Sequence, residues 1–370
     1  MDFHHTEERQ MLADTLQRYF QQRYSIEARL AVAASEQGWS REHWVALAEL
    51  GAVGALFEEH IGGFGGSGFD IATVFEQLGR AFSVEPFLGT LMAGRALAGA
   101  RGQETLLGQA VAGTTILAFA HAEPQSRYDL VDVSVVARRK ESVWFLTGAK
   151  AVVPQIKSAD FIVVSGRISG APREPAGIGL FLVDKKAPGL AVRSYPMIDG
   201  GRGGELILDG APALLISDGA YPLIEKAIAA GIVALAWEAV GLMDGLKTAT
   251  LEYLRTRQQF GVPIARFQAL QHRMATVALE IEQARSAAIN AADALERPRL
   301  QRERAVSAAK YTIGQVGTLV AEEAIQMHGA IGMTWELPAS HFAKRLTMIG
   351  HQLGDEDHHL SRYAALGRGA

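Results

Sequence analysis

The strongest constraint on the fold is that the hydrophobic pattern changes type twice along the chain. The first third carries apolar residues at helical spacing, as in residues 11–20. Between about Thr115 and Leu208, short runs rich in β-branched and aromatic residues alternate with glycine and proline turns. From about Tyr221, long alanine-rich helical patterns return. Because little helical sequence separates the central runs, they predict an antiparallel sheet or small barrel rather than a parallel βαβ sheet.

This order predicts a mainly α protein with a central β domain, in three segments. Residues 1–112 are expected to form an N-terminal helical domain, residues 113–218 the β domain and residues 219–370 a C-terminal helical bundle. The alanine content of the last segment suits close helix packing. The predicted strands cover residues 116–120, 133–136, 143–146, 161–164, 179–183 and 206–208.

Residues that start and stop helices mark several helix ends in the first third. Thr6 and Ser40 are predicted N-caps, because each hydroxyl precedes a helical pattern. A further helix is predicted over Ile71–Leu78, which stops near Gly79.

A glycine-rich stretch between two of these helices formally satisfies the G-x-G-x-x-G pattern of dinucleotide binding at Gly63, Gly65 and Gly68. That fingerprint requires a preceding strand and a βαβ unit, whereas the flanks here are mainly helical. The stretch is therefore predicted to be a flexible connecting loop.

A polar corner, Arg255–Gln271, separates two long helical patterns near the C-terminal end of the chain. Gly261 is predicted to stop the first helix, and Pro263 prevents its continuation. Arg255 and Arg257 then lie in the last turn, where they suit the negative end of the helix dipole. The corner also collects forked donors and amides, which suit a phosphate or nucleotide as well as a solvated surface; these are Arg257, Gln259, Gln268 and Gln271.

Composition and charge exclude several classes of partner. The formal net charge of -4 provides no basic field for nucleic acid, and no uninterrupted apolar span predicts membrane insertion. The chain has no cysteine, which excludes disulfides and thiolate metal sites. His351, His358 and His359 lie near acidic residues, but without the spacing of a helical zinc motif, so no metal is predicted. The opening Met1–Glu8 lacks the order of an export signal.

Two motifs give the chain a family resemblance. The corner resembles the signature of the flavin-dependent acyl-CoA dehydrogenase family, an Arg-x-x-Phe-Gly corner followed by a Gln. Gln326–Glu336 resembles a second block of that family, and Glu76–Arg80 also fits it. The resemblance covers nearly the whole chain. It implies an N-terminal helical domain, an antiparallel sheet or barrel and a C-terminal four-helix bundle, which together form the acyl-CoA dehydrogenase fold.

The resemblance implies a reaction and a cofactor. The reaction is α,β-dehydrogenation of an acyl-CoA thioester with FAD, and an electron-transfer flavoprotein is the implied acceptor. A cytoplasmic location follows from the same resemblance. The implied cofactor-binding residues, some acting across a subunit boundary, are Arg257, Phe260, Gln268, Gln326, Gly329, Gly354 and Asp355.

The sequence departs from the family where the flavin ring and the catalytic base are expected. Ala122 replaces a hydroxyl residue of the flavin loop, and Val152 and Pro154 replace a Trp and a Thr. Leu353 takes the place of one family base, and the place of an alternative base falls at about Gly231.

The catalytic base is therefore unassigned, and Asp355 and Glu238 are only candidates. The acidic cluster at Asp355 also fits a solvated turn. The ending Leu353–Tyr363 resembles small subunits of bacterial acyl-CoA dehydrogenases that work as unlike pairs, of the pimeloyl-CoA and steroid side-chain type. It implies a second acyl-CoA dehydrogenase-like subunit that supplies the base. A self-sufficient homo-oligomer with a displaced acid and a non-catalytic scaffold subunit stay open as alternatives.

Overall fold

The computed structural model describes residues 6–100 and 102–368. Residues 1–5, on which the expectation about an export signal partly depends, lie outside the described residues. The helices are α1 (Glu7–Arg23), α2 (Ile26–Ala34), α3 (Arg41–Glu49), α4 (Gly68–Ala81), α5 (Phe87–Ala98), α6 (Glu104–Val111), α7 (Tyr221–Thr256), α8 (Gln268–Ala294), α9 (Arg299–His328), α10 (Pro338–His351) and α11 (Glu356–Arg368). The strands are β1 (Leu117–Ala120), β2 (Val136–Lys140), β3 (Val143–Lys150), β4 (Phe161–Arg167), β5 (Ile178–Asp184), β6 (Leu190–Pro196), β7 (Arg202–Ser217), β8 (Gln258–Gln259) and β9 (Val262–Pro263).

The chain divides into two compact units, which are described separately. The barrel unit consists of Leu30–Gly66 and Val84–Gly231, and the bundle unit of Met1–Arg29, Ser67–Ser83 and Ile232–Ala370. Each unit therefore collects stretches that are distant in sequence.

The sheet of the barrel unit closes on itself and forms a small barrel, which was one of the two predicted alternatives. Its strands follow the order β1-β4-β2-β3-β7-β5, and β5 pairs again with β4. Most pairs are antiparallel, but β1 and β2 pair with β4 in parallel. The interior is filled by fully buried apolar side chains, which include Leu146, Ile162, Phe181 and Leu206.

Each of the six predicted runs overlaps a strand of the sheet, but the sheet has seven strands among the described residues, and several strands differ in extent from the prediction. The strand β6 was not predicted, because its apolar run covers only its first three residues and its residues are exposed or half-buried rather than buried. It pairs only with β7. β7 extends far beyond the predicted residues 206–208, since one long strand serves as the partner of β3, β5 and β6.

Both predicted N-caps are confirmed. The Thr6 hydroxyl oxygen accepts a hydrogen bond from the backbone N–H of Arg9 at 3.3 Å. The Ser40 hydroxyl oxygen accepts one from the backbone N–H of His43 at 3.2 Å. These bonds satisfy donors that the first helical turn leaves unpaired.

Helix α4 ends two residues beyond Gly79, near which its end was predicted, and Gly79 itself serves helix packing. The helix continues to Ala81 and ends at Phe82, which is left-handed with φ 56°. A Cβ atom on Gly79 would lie 2.1 Å from the carbonyl oxygen of Glu238 in α7. Conversely, a Cβ on Gly241 would lie 2.2 Å from the carbonyl oxygen of Glu76. Two glycines therefore let the backbones of α4 and α7 touch.

The glycine-rich stretch is a connecting segment, as predicted. It follows a short 3₁₀ turn, Glu59–Ile61, rather than a strand. A Cβ on Gly63 would lie 2.0 Å from the carbonyl oxygen of Phe57, so this glycine allows a tight fold of the backbone. Ser67 and Asp70 form a capping box at the start of α4.

Helix α7 corrects the expectation that no segment is long and apolar enough to cross a membrane. An 18-residue window within Tyr221–Thr256 has a mean hydropathy of 1.6. All of that window is buried inside the protein, which is typical of a core helix.

Candidate functional site

The polar corner between α7 and α8 is a short β-hairpin. α7 ends at Thr256, and β8 then pairs with β9 in an antiparallel two-residue ladder. Phe260 and Gly261 form the turn with φ of 54° and 79°, as a type I′ hairpin turn requires. The prediction that Gly261 ends the helix is therefore wrong, because the left-handed backbone is needed at the hairpin tip. Arg257 also lies beyond the helix rather than in its last turn.

The side chains of the corner divide into bonded and available groups. The Gln259 amide donates to the carbonyl of Gln258 at 2.7 Å, and the Gln271 amide donates to that of Ala265 at 2.9 Å. Arg257 and Gln268 are exposed, and neither side chain has a partner among the described residues. These two donors can therefore bind a ligand without breaking a bond within the chain.

The aromatic residues of the corner are exposed as well. Phe260 is 92% exposed, although a large side chain at positive φ is disfavoured. Its ring packs edge-to-face against Phe267 at 6.1 Å between centroids. A side chain that is both strained and exposed points to a contact outside this chain.

The second family block begins where α9 ends. Gly329 has φ 69° and ψ −148°, and its backbone N–H donates to the carbonyl of Gln326. No atom lies within 4 Å of the place that a Cβ on Gly329 would take. Gln326 is exposed. The backbone of this turn can therefore be approached closely by a ligand.

The corner and the second block meet at one end of the bundle unit. The rings of Tyr253 and His328 lie 4.6 Å apart, which joins the C-terminal ends of α7 and α9. Arg273 in the first turns of α8 pairs with Glu323 near the end of α9 at 3.4 Å. We call this region the nucleotide end; its predicted members are Arg257, Phe260, Gln268, Gln326 and Gly329.

The chemistry of the nucleotide end fits the nucleotide half of FAD. A guanidinium suits the pyrophosphate, and the exposed amides suit the polar groups of adenosine. The open space at Gly329 allows the backbone itself to approach the ligand. The structure thus brings five of the seven predicted cofactor residues together.

The other two, Gly354 and Asp355, lie in the turn between α10 and α11. The buried Lys310 ammonium donates to the carbonyl of Gly354 at 2.7 Å. Lys310 lies 16 residues before Gln326 in α9, so this turn is about 24 Å along the helix from the nucleotide end. Within one chain, Gly354 and Asp355 are therefore not brought to the other predicted residues.

The turn itself is organised for packing. Asp355 Oδ1 accepts from the backbone N–H of His358 at 2.9 Å and so caps α11. Gly354 has φ 119°, and a Cβ there would lie 2.3 Å from Nε2 of His359. His359 Nε2 lies 3.0 Å from the carbonyl oxygen of Leu353, so this nitrogen carries the proton and donates. Burial lowers the pKa of His359 to about 3, which keeps the ring neutral.

The rest of the C-terminal motif holds α11 against α9. The Arg362 guanidinium donates to Glu303 at 2.8 Å, and the Arg304 guanidinium donates to the Tyr363 hydroxyl at 3.0 Å. The ending Leu353–Tyr363 is thus a helix-docking motif in this chain. Among the described residues, no group of three or more His, Asp or Glu could hold a metal ion.

Glu238, the second candidate base, is engaged in an ion pair. Arg345 donates from Nε at 2.6 Å and from Nη2 at 2.8 Å to the two carboxylate oxygens. Glu238 is only 7% exposed. A two-point pair with a guanidinium occupies both carboxylate oxygens. This arrangement argues against a base that must take up a proton from substrate.

A buried ionic cluster in the barrel unit was not predicted. The Lys150 ammonium, 0% exposed, donates to Glu123 at 2.7 Å, to Ser165 Oγ at 2.8 Å and to the carbonyl of His121 at 3.0 Å. Glu123 also accepts from the Ser134 backbone N–H at 2.8 Å and from the Ser134 hydroxyl. Both charged residues lie in the stretch predicted to form the β domain, and a charge that is buried there requires a partner.

The pKa values of the cluster follow from burial and pairing. Burial lowers the pKa of Lys150 to about 8, although Glu123 acts against this shift. Burial would raise the pKa of Glu123, but the charge and hydrogen bond of Lys150, with bonds from Ser134 and Gln125, lower it to about 2. Burial, with the nearby Lys150, lowers the pKa of His121 to about 3. The cluster is therefore an ion pair beside a neutral histidine at pH 7.

In the loop that follows Lys150, three residues offer little polar contact for a flavin ring. Val152 is 56% exposed and has φ 50°, which is unfavourable for a β-branched residue. Pro154 has no backbone N–H to donate. The Ala151 backbone N–H is already bonded to the carbonyl of Ala122 at 2.9 Å. The ring end of a flavin site is thus poorly provided for by this chain.

Comparisons with known proteins agree with this geometry. Family models match along the chain: the acyl-CoA dehydrogenase N-terminal domain over residues 6–104, the middle domain over 118–210 and the C-terminal domain over 220–365. These matches confirm the predicted fold, the enzyme class of oxidoreductases acting on CH–CH bonds and the flavin cofactor of that class.

Relatives and solved structures lead to the same family. The acyl-CoA dehydrogenase IpdE2 of Mycolicibacterium smegmatis is 28% identical over 361 residues, which cover 97% of this chain and 99% of that protein. A variant of the steroid acyl-CoA dehydrogenase Tcur3481–Tcur3483 superposes with a TM-score of 0.90 at 29% identity, over 98% of this chain and 99% of the other. The ChsE4–ChsE5 complex of Mycobacterium tuberculosis gives a TM-score of 0.90 at 25% identity, over 100% of both chains. The protein belongs to the acyl-CoA dehydrogenase family.

Proposed function

We propose that this chain is one component of a hetero-oligomeric, FAD-dependent acyl-CoA dehydrogenase whose partner subunit supplies the catalytic base. The observation that carries the proposal is a contrast between two regions. At the nucleotide end, Arg257 and Gln268 are exposed and available for a ligand. At the expected base positions, Leu353 and Gly231 carry no ionisable group.

The reaction requires both a bound flavin and a catalytic base in one assembly. When bound, FAD supplies the acceptor for the hydride that leaves the β-carbon of the acyl-CoA. A carboxylate must remove the α-proton, and it needs a raised pKa to do so. Glu238 is held by Arg345, and Asp355 caps α11. A base from another subunit completes the reaction without displacing either contact.

Two similar proteins support an unlike pair. One solved structure is described as the ChsE4–ChsE5 complex and another as Tcur3481–Tcur3483, a steroid acyl-CoA dehydrogenase. The exposed Phe260 fits a subunit contact at the nucleotide end. For substrate, we favour a bulky or dicarboxylic acyl-CoA over a short straight chain, because Val152 and Pro154 depart from the usual flavin loop. An electron-transfer flavoprotein as acceptor and a cytoplasmic location complete the proposal.

Purification with and without a partner tests the proposal. The chain should be produced alone and together with an acyl-CoA dehydrogenase-like protein from the same genome. We expect little flavin absorbance and negligible reduction of an artificial electron acceptor for the chain alone, and both properties in the co-purified complex. Full flavin occupancy and turnover by the isolated homo-oligomer would contradict the hetero-oligomer. A complex without flavin would instead indicate a scaffold subunit.

A further inference from the structure

An exposed tryptophan lies directly beyond the 3₁₀ turn of the second family block. Trp335 is 64% exposed, although tryptophan is the largest apolar side chain. It follows the turn Gly329–Met333, which opens at the nucleotide end. An indole left in solvent at the edge of a ligand site requires an explanation.

The indole is held in place by its neighbours. His341 Nε2 lies 2.9 Å from the Trp335 carbonyl oxygen and donates to it. The His341 ring also meets the indole edge-on, with 5.3 Å between centroids. Thr334, the preceding residue, bonds to the carbonyl of Ile331 through its backbone N–H at 3.1 Å and its hydroxyl at 2.9 Å. The ring is therefore presented by an ordered support rather than by a loose loop.

A cation covers one face of the indole. The Lys344 ammonium lies 3.2 Å from the ring centroid. Lys344 forms no ion pair with a carboxylate among residues 6–100 and 102–368. An aromatic surface beside an unneutralised ammonium suits a ligand that has a flat base and a phosphate.

The same loop exposes Met333 and Ile331, which a protein partner could also cover. Two features favour a nucleotide. Lysine is depleted in protein–protein interfaces, yet Lys344 lies over the ring itself. The loop also begins at Gly329, where the space beside the backbone is open.

We infer that Trp335 and Lys344 form a subsite for an adenine nucleotide, in which the indole stacks on the purine and the ammonium attracts a phosphate. The inference rests on the proposed function where the ligand is the nucleotide half of FAD. The 3′-phospho-ADP portion of coenzyme A offers the same chemistry from a second source.

Titration calorimetry on the full chain, with any subunit that co-purifies and after removal of flavin, tests the subsite. The probes are ADP, adenosine 3′,5′-bisphosphate and adenosine. We expect Trp335→Leu to weaken ADP binding about tenfold or more, and Trp335→Phe to retain most of it, because a phenyl ring still stacks. Lys344→Met should weaken both phosphate-bearing probes and reduce their salt dependence, with adenosine unaffected.

Two further variants separate the possible outcomes. Met333→Ala, in the same loop and comparably exposed, is the matched control and should leave binding unchanged. Arg257→Ala should weaken ADP binding through the corner. Tighter binding of ADP than of the bisphosphate identifies FAD as the source, and the reverse order identifies coenzyme A.

Three results would overturn the inference. If Arg257→Ala weakens ADP binding but Trp335→Leu and Lys344→Met do not, the subsite is wrong while the proposed function stands. If Trp335→Leu changes only subunit assembly, the indole is a protein contact. A wild-type protein that binds neither ADP nor the bisphosphate overturns the subsite and the proposed cofactor site together.

Discussion

At the scale of single residues, the pair of Lys150 and Glu123 is the clearest case of two buried opposite charges that compensate each other. Replacement of Lys150 by Met removes the ammonium and leaves a buried carboxylate unpaired. We expect a loss of about 3–5 kcal/mol in the free energy of unfolding, because an uncompensated buried charge is costly. Urea denaturation measures the loss. Lys186→Met, at an exposed position, is the control and should change stability by less than about 0.5 kcal/mol.

The same pair predicts how stability responds to acid. The pKa of Glu123 falls from its ordinary 4.5 to about 2 in the folded chain. A carboxyl with a lowered pKa stabilises the fold above pH 4.5, and this contribution disappears as the pH falls towards 2. We expect about 3 kcal/mol to be lost in that window. The double variant Glu123→Gln, Lys150→Met should lack this component in denaturation curves measured across the pH range; an identical slope would refute the assignment.

Substitution of the two candidate bases, Glu238 and Asp355, distinguishes a subunit that depends on a partner's base from a self-sufficient enzyme. In the co-purified complex, we expect Glu238→Gln and Asp355→Asn to keep turnover with an artificial acceptor within a few-fold of the wild type, provided that flavin content is matched. Loss of a catalytic base would instead lower the rate by about 10²–10⁴-fold. A loss of that size in either variant would show that this chain carries the base itself.

At the scale of elements, the crossing of α4 and α7 is set by two glycines. Gly79→Ala would place a Cβ 2.1 Å from the carbonyl oxygen of Glu238, so the two backbones must separate. We expect destabilisation of about 1–3 kcal/mol. Gly108→Ala in α6 is a matched control, since no atom lies within 4 Å of the new Cβ. It should stabilise the chain by about 0.5–1 kcal/mol, because alanine favours a helix, and thermal unfolding distinguishes the two.

The elements also show where prediction from sequence succeeds. Local signals such as the hydroxyls of Thr6 and Ser40 specify helix starts, because a cap acts on the next turn only. The role of Gly79 could not be predicted, because its cause is a carbonyl oxygen in another helix. Strand β6 was missed for a related reason, since its position in the sheet is set by pairing with β7, which a short apolar start does not reveal.

At the scale of the whole molecule, the sequence predicts the type of each region better than the grouping of regions. The change from helical to strand patterns gives the fold class, because periodicity reports which face of an element is buried. The segments of the two compact units alternate along the sequence, however. Ser67–Ser83, for example, belongs to a unit that is otherwise built largely from Ile232–Ala370. Such long-range packing leaves no local signal. The division at residues 1–112, 113–218 and 219–370 stays a prediction.

The candidate site shows the same division between local and long-range information. Arg257, Phe260 and Gln326 could be proposed as cofactor-binding residues from motifs, because short segments carry those motifs. The ion pairs of Glu238 with Arg345 and of Glu123 with Lys150 depend on side chains far apart in sequence. A motif could therefore predict the class of cofactor, but it could not predict the reactivity of Glu238 or Glu123.

The ring of Phe260 has a consequence for how the protein must be made. The side chain is almost fully exposed at the tip of the hairpin, and its positive φ is unfavourable for a residue other than glycine. In a chain that has not assembled, this apolar side chain is exposed to water. Exposed apolar side chains promote self-association. If the proposed partner subunit covers that ring, we expect the chain to aggregate less when it is produced together with the partner than when it is produced alone.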